Sequence, residues 1–330
     1  MDDNVVTVQK KKWKFRIKPG MGQVYFVAAL LIALCIFFSI TSPYFNQLNN
    51  YLSIVRQVAV YCLIAFGMQF ILLIGEIDLS VGATVALVGV VAAQISLVTK
   101  NAILAFACAL LTGALVGACN GFFITAFSIP SFIATLATQS IIRGGVLVYT
   151  NAETIFGFQK ELNTPAQGYF GIIPIPVVIV TAAFLLVAIT LRYTRFGLHV
   201  YAIGGNKEVA RLSGIPVKRD TMLCYIICGV LTALGGLLAM ARVAAATPNT
   251  GEGYELDAIT AVVLGGTSMT GGAGSVLGTL FGQLVLGVMS AGLIMLDVSA
   301  FWITIIKGII LLIAIILSVR TTNREGRVKK

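Results

Sequence analysis

The sequence predicts an all-α polytopic membrane protein of about ten transmembrane helices, some of them broken or half-length. Three observations carry that prediction. The 330 residues are 58% hydrophobic and 11% charged, with a mean hydropathy of +0.95, whereas a soluble domain carries about 25% charge. Apolar runs exceed the ~20 residues that a bilayer crossing needs. The basic residues, finally, fall in blocks. Lys10, Lys11, Lys12, Lys14, Arg16 and Lys18 form one, Arg192, Arg195, Lys207, Arg211, Lys218 and Arg219 a second, and Arg320, Arg324, Arg327, Lys329 and Lys330 a third, 17 of the 23 in all. The positive-inside rule puts all three blocks, and so both termini, in the cytoplasm. The net charge of +10 is then an orientation signal. Membrane lipid is an expected partner and nucleic acid is not.

Residues 1–21 read as a basic cytoplasmic tail, 22–319 as one transmembrane domain and 320–330 as a second basic tail. The first span covers Gly22 to Ile40, with no small-residue cleavage pattern that would mark a leader. Tyr51 to Ile74 returns inward, Arg56 snorkelling near its outer end. Leu79 to Val98, Ala102 to Ala126 and Pro130 to Tyr149 follow, Pro130 suiting a first helical position. The polar loop from Thr150 to Gly168 lies outside. Gly171 to Leu191 is the sixth span and Thr221 to Met240 the seventh. Leu256 to Gly266 is too short to cross alone, Ser275 to Leu296 is the ninth, and Phe301 to Val319 the tenth.

Two glycine-bounded breaks interrupt the spans, Gly75 to Gly82 and Gly265 to Gly272. Non-helical backbone at membrane depth survives only where it is buried or lines a cavity. Breaks in the segments 51–149 and 221–319 suggest an inverted repeat, helices 2–5 against 7–10, around a substrate path.

The polar stretch 192–219 contains one short helix with legible ends. Asn206 caps it, Lys207 to Ser213 fill about two turns, and Gly214 with Pro216 stops it. Val209 and Leu212 share a face, and Glu208 and Arg211 pair at i,i+3. A loop helix resting on headgroups has the same pattern as a knob seated in a soluble partner.

Intramembrane carboxylates are functional candidates because their desolvation is costly. Glu76, Asp78 and Ser80 at the first break are candidates for a translocation path, as are Thr135 and Gln139 on a polar stripe that continues to Arg143. Asp78 and Ser80 equally suit a helix cap. Glu252, Glu255 and Asp257 suit either helix N-terminal charge or docking of an extracytoplasmic binding protein by complementary charge. Asp297 and Lys307 suit either a pair or an interfacial position, and neither is assigned a role.

Absences narrow the chemistry. The sequence holds no GxxxxGK[ST], so no P-loop ATPase is present in it. The single histidine, His199, forms no metal or triad constellation, and the six cysteines lie in apolar runs with no CxxC. No catalytic residue and no metal site are expected.

The segments GGNKEVARLSGIPVKR, GEIDLSVG and GYELDAITAVVLGGTSMTGGAGSVLGT resemble the permease subunit of bacterial ABC importers for ribose and related monosaccharides. The similarity runs from SPYFNQLNNYLSIVRQ to FWITIIKGIILLIAI. The resemblance implies a subunit of the bacterial plasma (inner) membrane that is not itself an enzyme. It implies a second permease copy, forming a homodimer, a separate ATPase that carries ATP and Mg, and an extracytoplasmic sugar-binding protein. It also implies that Gly205, Asn206, Lys207, Glu208, Val209, Ala210, Arg211, Leu212, Ser213 and Gly214 form the helix coupling the permease to that ATPase. Around Ala126-Phe127-Ser128 the chain lacks the basic residues such permeases commonly carry. The alternative is an ion-coupled secondary transporter, in which Glu76 or Asp78 carries a proton or sodium. An intramembrane enzyme would need a catalytic constellation the sequence does not contain.

Overall fold

The computed structural model describes residues 21–328, and of the side chains in the last helix those up to Ile316 and that of Ser318. The first basic block and Lys329–Lys330 lie outside the described residues. The helices are α1 Met21–Thr41, α2 Leu48–Leu73, α3 Val81–Thr99, α4 Ala102–Phe127, α5 Ser131–Thr150, α6 Thr164–Gln167, α7 Ile175–Tyr193, α8 Arg195–Gly205, α9 Lys207–Leu212, α10 Val217–Val243, α11 Tyr254–Leu264, α12 Val276–Met295 and α13 Ala300–Val328. Two short strands, β1 Tyr169–Phe170 and β2 Ile173–Pro174, pair as an antiparallel hairpin before α7. The all-α membrane architecture is therefore observed. Among the described residues eight helices are long and apolar enough to cross a bilayer. The eighth segment, expected to be too short, is the 11-residue α11.

Several expected boundaries shift, each for a local reason. The sixth helix starts at Ile175, because Gly171, at φ +63, turns the hairpin. The seventh starts four residues early, at Val217. Lys218 and Arg219 thus belong to its first turn, where Asp220 is buried against His199 of α8, Oδ2 to Nδ1 2.7 Å. The last helix runs on through the expected tail to Val328.

The helices α2, α3 and α10 form the buried centre, with α4 packed against α10. Close approach here is a matter of glycine. Gly113, Gly117 and Gly121, spaced four apart on α4, face α10, the small-xxx-small arrangement that lets membrane helices touch through backbone. A methyl group at Gly117 would run into the Tyr225 carbonyl, and one at Gly121 would stand 3.0 Å from Met222 Cα.

Gly117→Leu should therefore lower the Tm of the detergent-solubilised protein, since overpacking costs about 1–3 kcal/mol or more. Gly144→Leu is the control, because nothing lies within 4 Å of a Cβ there. Equal Tm values for the two variants would contradict the packing.

Candidate functional site

Three stretches that are far apart in sequence meet at one end of the bundle: the first break, the second break and the α8–α9 corner. The backbone approach is so close that side chains are excluded. Gly272 donates its N–H to Leu73 O at 2.9 Å, and a Cβ on Gly271 would lie 2.8 Å from both Gly204 Cα and Gly75 N. Gly75, Gly271 and Gly272 all have positive φ, +76, +85 and +75, which glycine adopts without a Cβ penalty. The breaks differ in what precedes them, a full-length α2 before the first and the short α11 before the second.

Buried break backbone must find partners, and α5 and α10 supply them. Ile77 N–H donates to Ser131 Oγ at 3.2 Å and Leu79 N–H to Thr135 Oγ1 at 3.1 Å. Asp78 Oδ1 accepts from Ser80 N–H at 2.8 Å and from Ser80 Oγ at 2.7 Å, while Asn120 Nδ2 of α4 donates to Ser80 Oγ at 2.8 Å. Ser80 holds the N-cap position of α3 without a side-chain cap bond. In the second break, the hydroxyls of Thr267 and Thr279 both donate to Gln69 Oε1 of α2. Tyr201 of α8 donates to Gly274 O at 3.2 Å.

Glu76 joins this end of the core to α9. Its Oε2 accepts from Tyr225 OH at 3.0 Å and its Oε1 from Lys207 Nζ at 3.1 Å. Lys207 is the first residue of α9 and its side chain is 60% exposed, against 11% for Glu76. A cavity of about 400 Å³ opens beside the pair, lined among others by Ser128, Ser131, Lys218 and Thr221.

The short helix itself has the expected caps. Asn206 Oδ1 accepts from the N–H groups of Glu208 and Val209, both at 3.0 Å, and Gly214 turns the chain at φ +82. Ser213 is its C-cap rather than its last residue. Arg211 Nη2 bonds Glu208 Oε1 at 2.5 Å, and that bond, with the guanidinium charge, holds the Glu208 carboxyl below its usual pKa. Ala210 is the residue on which α9 rests, whereas Val209 and Leu212 are 57% and 75% exposed. Gly205 ends α8 against Gly272.

The expected path residues are thus brought together only in part. Glu76, Asp78, Ser80 and Thr135 converge on the first break, but their polar atoms are bonded to the protein. Gln139 lies elsewhere, donating to Glu255 Oε1 at 3.4 Å, and Arg143 donates to the carbonyls of Pro248 and Thr250 at 2.6 and 3.0 Å. The stripe on α5 therefore straps loops in place. The acidic trio also separates: Glu252 is exposed, Glu255 is buried, and Asp257 pairs with Lys307 at 2.7 Å. Lys307 takes Asp257 as partner because Asp297 sits in the turn before α13, at φ +56. Arg56 donates to Gln167 O at 3.2 Å and lies 5.0 Å from the Tyr169 ring centroid. Gln69, Asn120 and Tyr225, all fully buried, were not anticipated, although a lone amide in an apolar span is itself a signal.

A bundle of apolar helices with buried breaks and a capped, exposed helix at one end defines a multi-pass membrane protein. Residues 50–315 match the family described as the permease component of branched-chain amino acid transport systems, and the chain belongs to that family. It is 42% identical over 310 residues to a ribose import permease protein of Escherichia coli, covering 89% of this chain and 96% of that one. A ribose import permease protein of Bacillus subtilis is 44% identical over 289 residues, 87% and 90% of the two chains. A D-allose transport system permease protein of Escherichia coli is 35% identical over 311 residues, 94% of each. No solved structure matches the chain.

Removing the cap by Asn206→Ala should cost about 1 kcal/mol, read as faster amide hydrogen exchange across Lys207–Leu212 with the rest of the chain unchanged. The Glu208–Arg211 bond depresses the carboxyl pKa, so its contribution is present at neutral pH. It should be lost only as pH falls through that depressed value, below the usual ~4.3. An NMR titration of Glu208 with an ordinary or raised midpoint would contradict the pair.

Proposed function

We propose that this chain is the membrane-spanning subunit of an ATP-binding-cassette importer in the bacterial plasma (inner) membrane, with a monosaccharide such as ribose as its substrate. The observation that carries the reading is α9: a capped helix presenting Val209, Leu212 and the Glu208–Arg211 pair to solvent while Lys207 reaches Glu76 in the core. Apolar tips ringed by charge suit insertion into a soluble partner. That partner is a separate ATPase subunit holding ATP and Mg, which this chain's own sequence gives no P-loop to bind. An extracytoplasmic sugar-binding protein delivers substrate at the opposite end, and a second copy of the chain completes the pore. Both termini then lie in the cytoplasm with α9. The family description names amino acids, but relatives of high identity over nearly whole chains are named for ribose and allose, which favours a sugar.

The contacts of α9 support alternating access driven from the ATPase. A shift of Lys207 pulls on Glu76, and Glu76 sits in the break whose neighbours Leu73 and Gly75 touch the second break. Both breaks then respond to one displacement. The ion-coupled alternative puts the ion on Glu76 or Asp78, and both are bonded within the protein.

Vesicles bearing the chain with its ATPase and binding protein should take up sugar only with ATP. Uptake that continues without the ATPase under an ion gradient would overturn the proposal. Glu76→Lys or Lys207→Glu alone should lower ATP-driven uptake severalfold while the complex still assembles. The double exchange, restoring an attractive pair, should recover most of it, and no recovery would remove the pair from the coupling route.

A further inference from the structure

A substrate subsite needs hydrogen-bonding groups that the fold has not already engaged. At the break end the carboxylates are engaged, Glu76 by Lys207 and Tyr225 and Asp78 by Ser80, and Thr135 is bonded to the break backbone, while Thr221 Oγ1 is left without a partner. The opposite end of α10 differs. A cavity of about 500 Å³ opens there between α2, the end of α10 and the loop leading to α11, within the ~300–1,000 Å³ typical of small-molecule sites. Gln57, Arg242, Asn249 and Glu252 line it, and among the described residues their side chains make no hydrogen bond to another part of the protein. Tyr61 and Tyr254 add a pair of aromatic rings to the lining, centroids 4.5 Å apart and tilted 51°, with Lys307 Nζ 5.8 Å over the Tyr61 ring.

We propose that this cavity is a monosaccharide subsite of the permease, in which the Tyr61–Tyr254 pair meets the C–H face of the sugar and Gln57, Arg242, Asn249 and Glu252 bond its hydroxyls. The chemistry is matched group by group. A sugar ring offers an apolar face and adjacent hydroxyls that both donate and accept. Planar amides supply donors and acceptors together, the guanidinium supplies donors and the carboxylate acceptors. The loop that carries Asn249 and Glu252 is held from behind, Arg143 clamping the Pro248 and Thr250 carbonyls, so the free groups stand on a fixed wall. The proposal rests on the import reading above, and it places a sugar-contacting site at the mouth where substrate would be handed over.

The test uses the complete importer in vesicles with ribose, allose and galactose as probes, comparing wild type with Asn249→Ala, Glu252→Gln and Gln57→Ala. Each loses one or two neutral or charge-assisted hydrogen bonds, so maximal uptake should fall roughly 3- to 10-fold. The size of the fall should differ between sugars, with the half-saturating binding-protein concentration unchanged. Saturation transfer from the purified permease to ribose should weaken in the same variants. Equal falls for all three sugars would make the residues structural. A raised half-saturating concentration of binding protein alone would make the cavity rim a protein-docking surface. Either result overturns the subsite and leaves the import reading standing. Failure of the wild-type complex to import any monosaccharide would instead overturn both.

Discussion

Non-helical backbone inside an apolar bundle is the constraint on which the rest of the structure depends. Residues 74–80 leave α2 and enter α3 where little water is available, so each freed N–H and C=O must be met by protein. Leu73 O is met by Gly272 N–H, Ile77 N–H by Ser131, and Leu79 N–H by Thr135. A buried polar group left without a partner costs about 1–3 kcal/mol, so several such groups would rival the whole stability of a domain. Glycine is the second half of the solution. Only residues without a Cβ let Gly75, Gly204, Gly271 and Gly272 stack backbone on backbone.

This arrangement explains why polar residues in the spans are where they are. Thr135 and Ser131 serve the first break, Gln69 the second, and Asn120 holds Ser80 at the head of α3. Glu76 is the exception, since it bonds outward as well as inward. Its partner Lys207 is largely exposed, and a pair so placed is worth little as stability, about 0–1 kcal/mol. Its value is positional: it ties the first turn of α9 to a break that is itself tied to the other break.

Much of this could be read from the chain. Charge blocks, apolar runs and glycine-bounded breaks marked the membrane class, and Asn206, Gly214 and Pro216 bracketed α9 because capping is local chemistry within a few residues. What could not be read is long-range. The Glu76–Lys207 contact spans 131 positions and Lys307–Asp257 spans 50, and no spacing rule reaches that far. Asp297 is nearer to Lys307 in sequence, and the sequence left that pair open. The stripe Thr135–Gln139–Arg143 was correctly periodic, yet periodicity gives a face and not what the face meets. The helix α8 went unread because Gly204 and Gly205 at its end look like loop residues until their contact with Leu73 and Gly272 is seen. Val217 to Asp220 looked like loop because charge usually ends a span, and here His199 takes up Asp220.

The two ends of α10 therefore differ in a way that composition conceals. Both carry carboxylates, hydroxyls and a cation beside a cavity of similar size. At the end near Val217 the Glu76 carboxylate is bonded within the protein to Tyr225 and Lys207, so a displacement applied there is transmitted. At the end near Val243 the side chains of Gln57, Asn249 and Glu252 make no hydrogen bond within the protein and line open volume, so a ligand can replace the water on them at little cost to the fold. A helix of 27 residues, about 40 Å long at 1.5 Å per residue, keeps the two kinds of surface apart and joins them rigidly. What separates a force-bearing site from a recognition site in this chain is whether its carboxylate is already hydrogen-bonded within the fold, as Glu76 is and Glu252 is not.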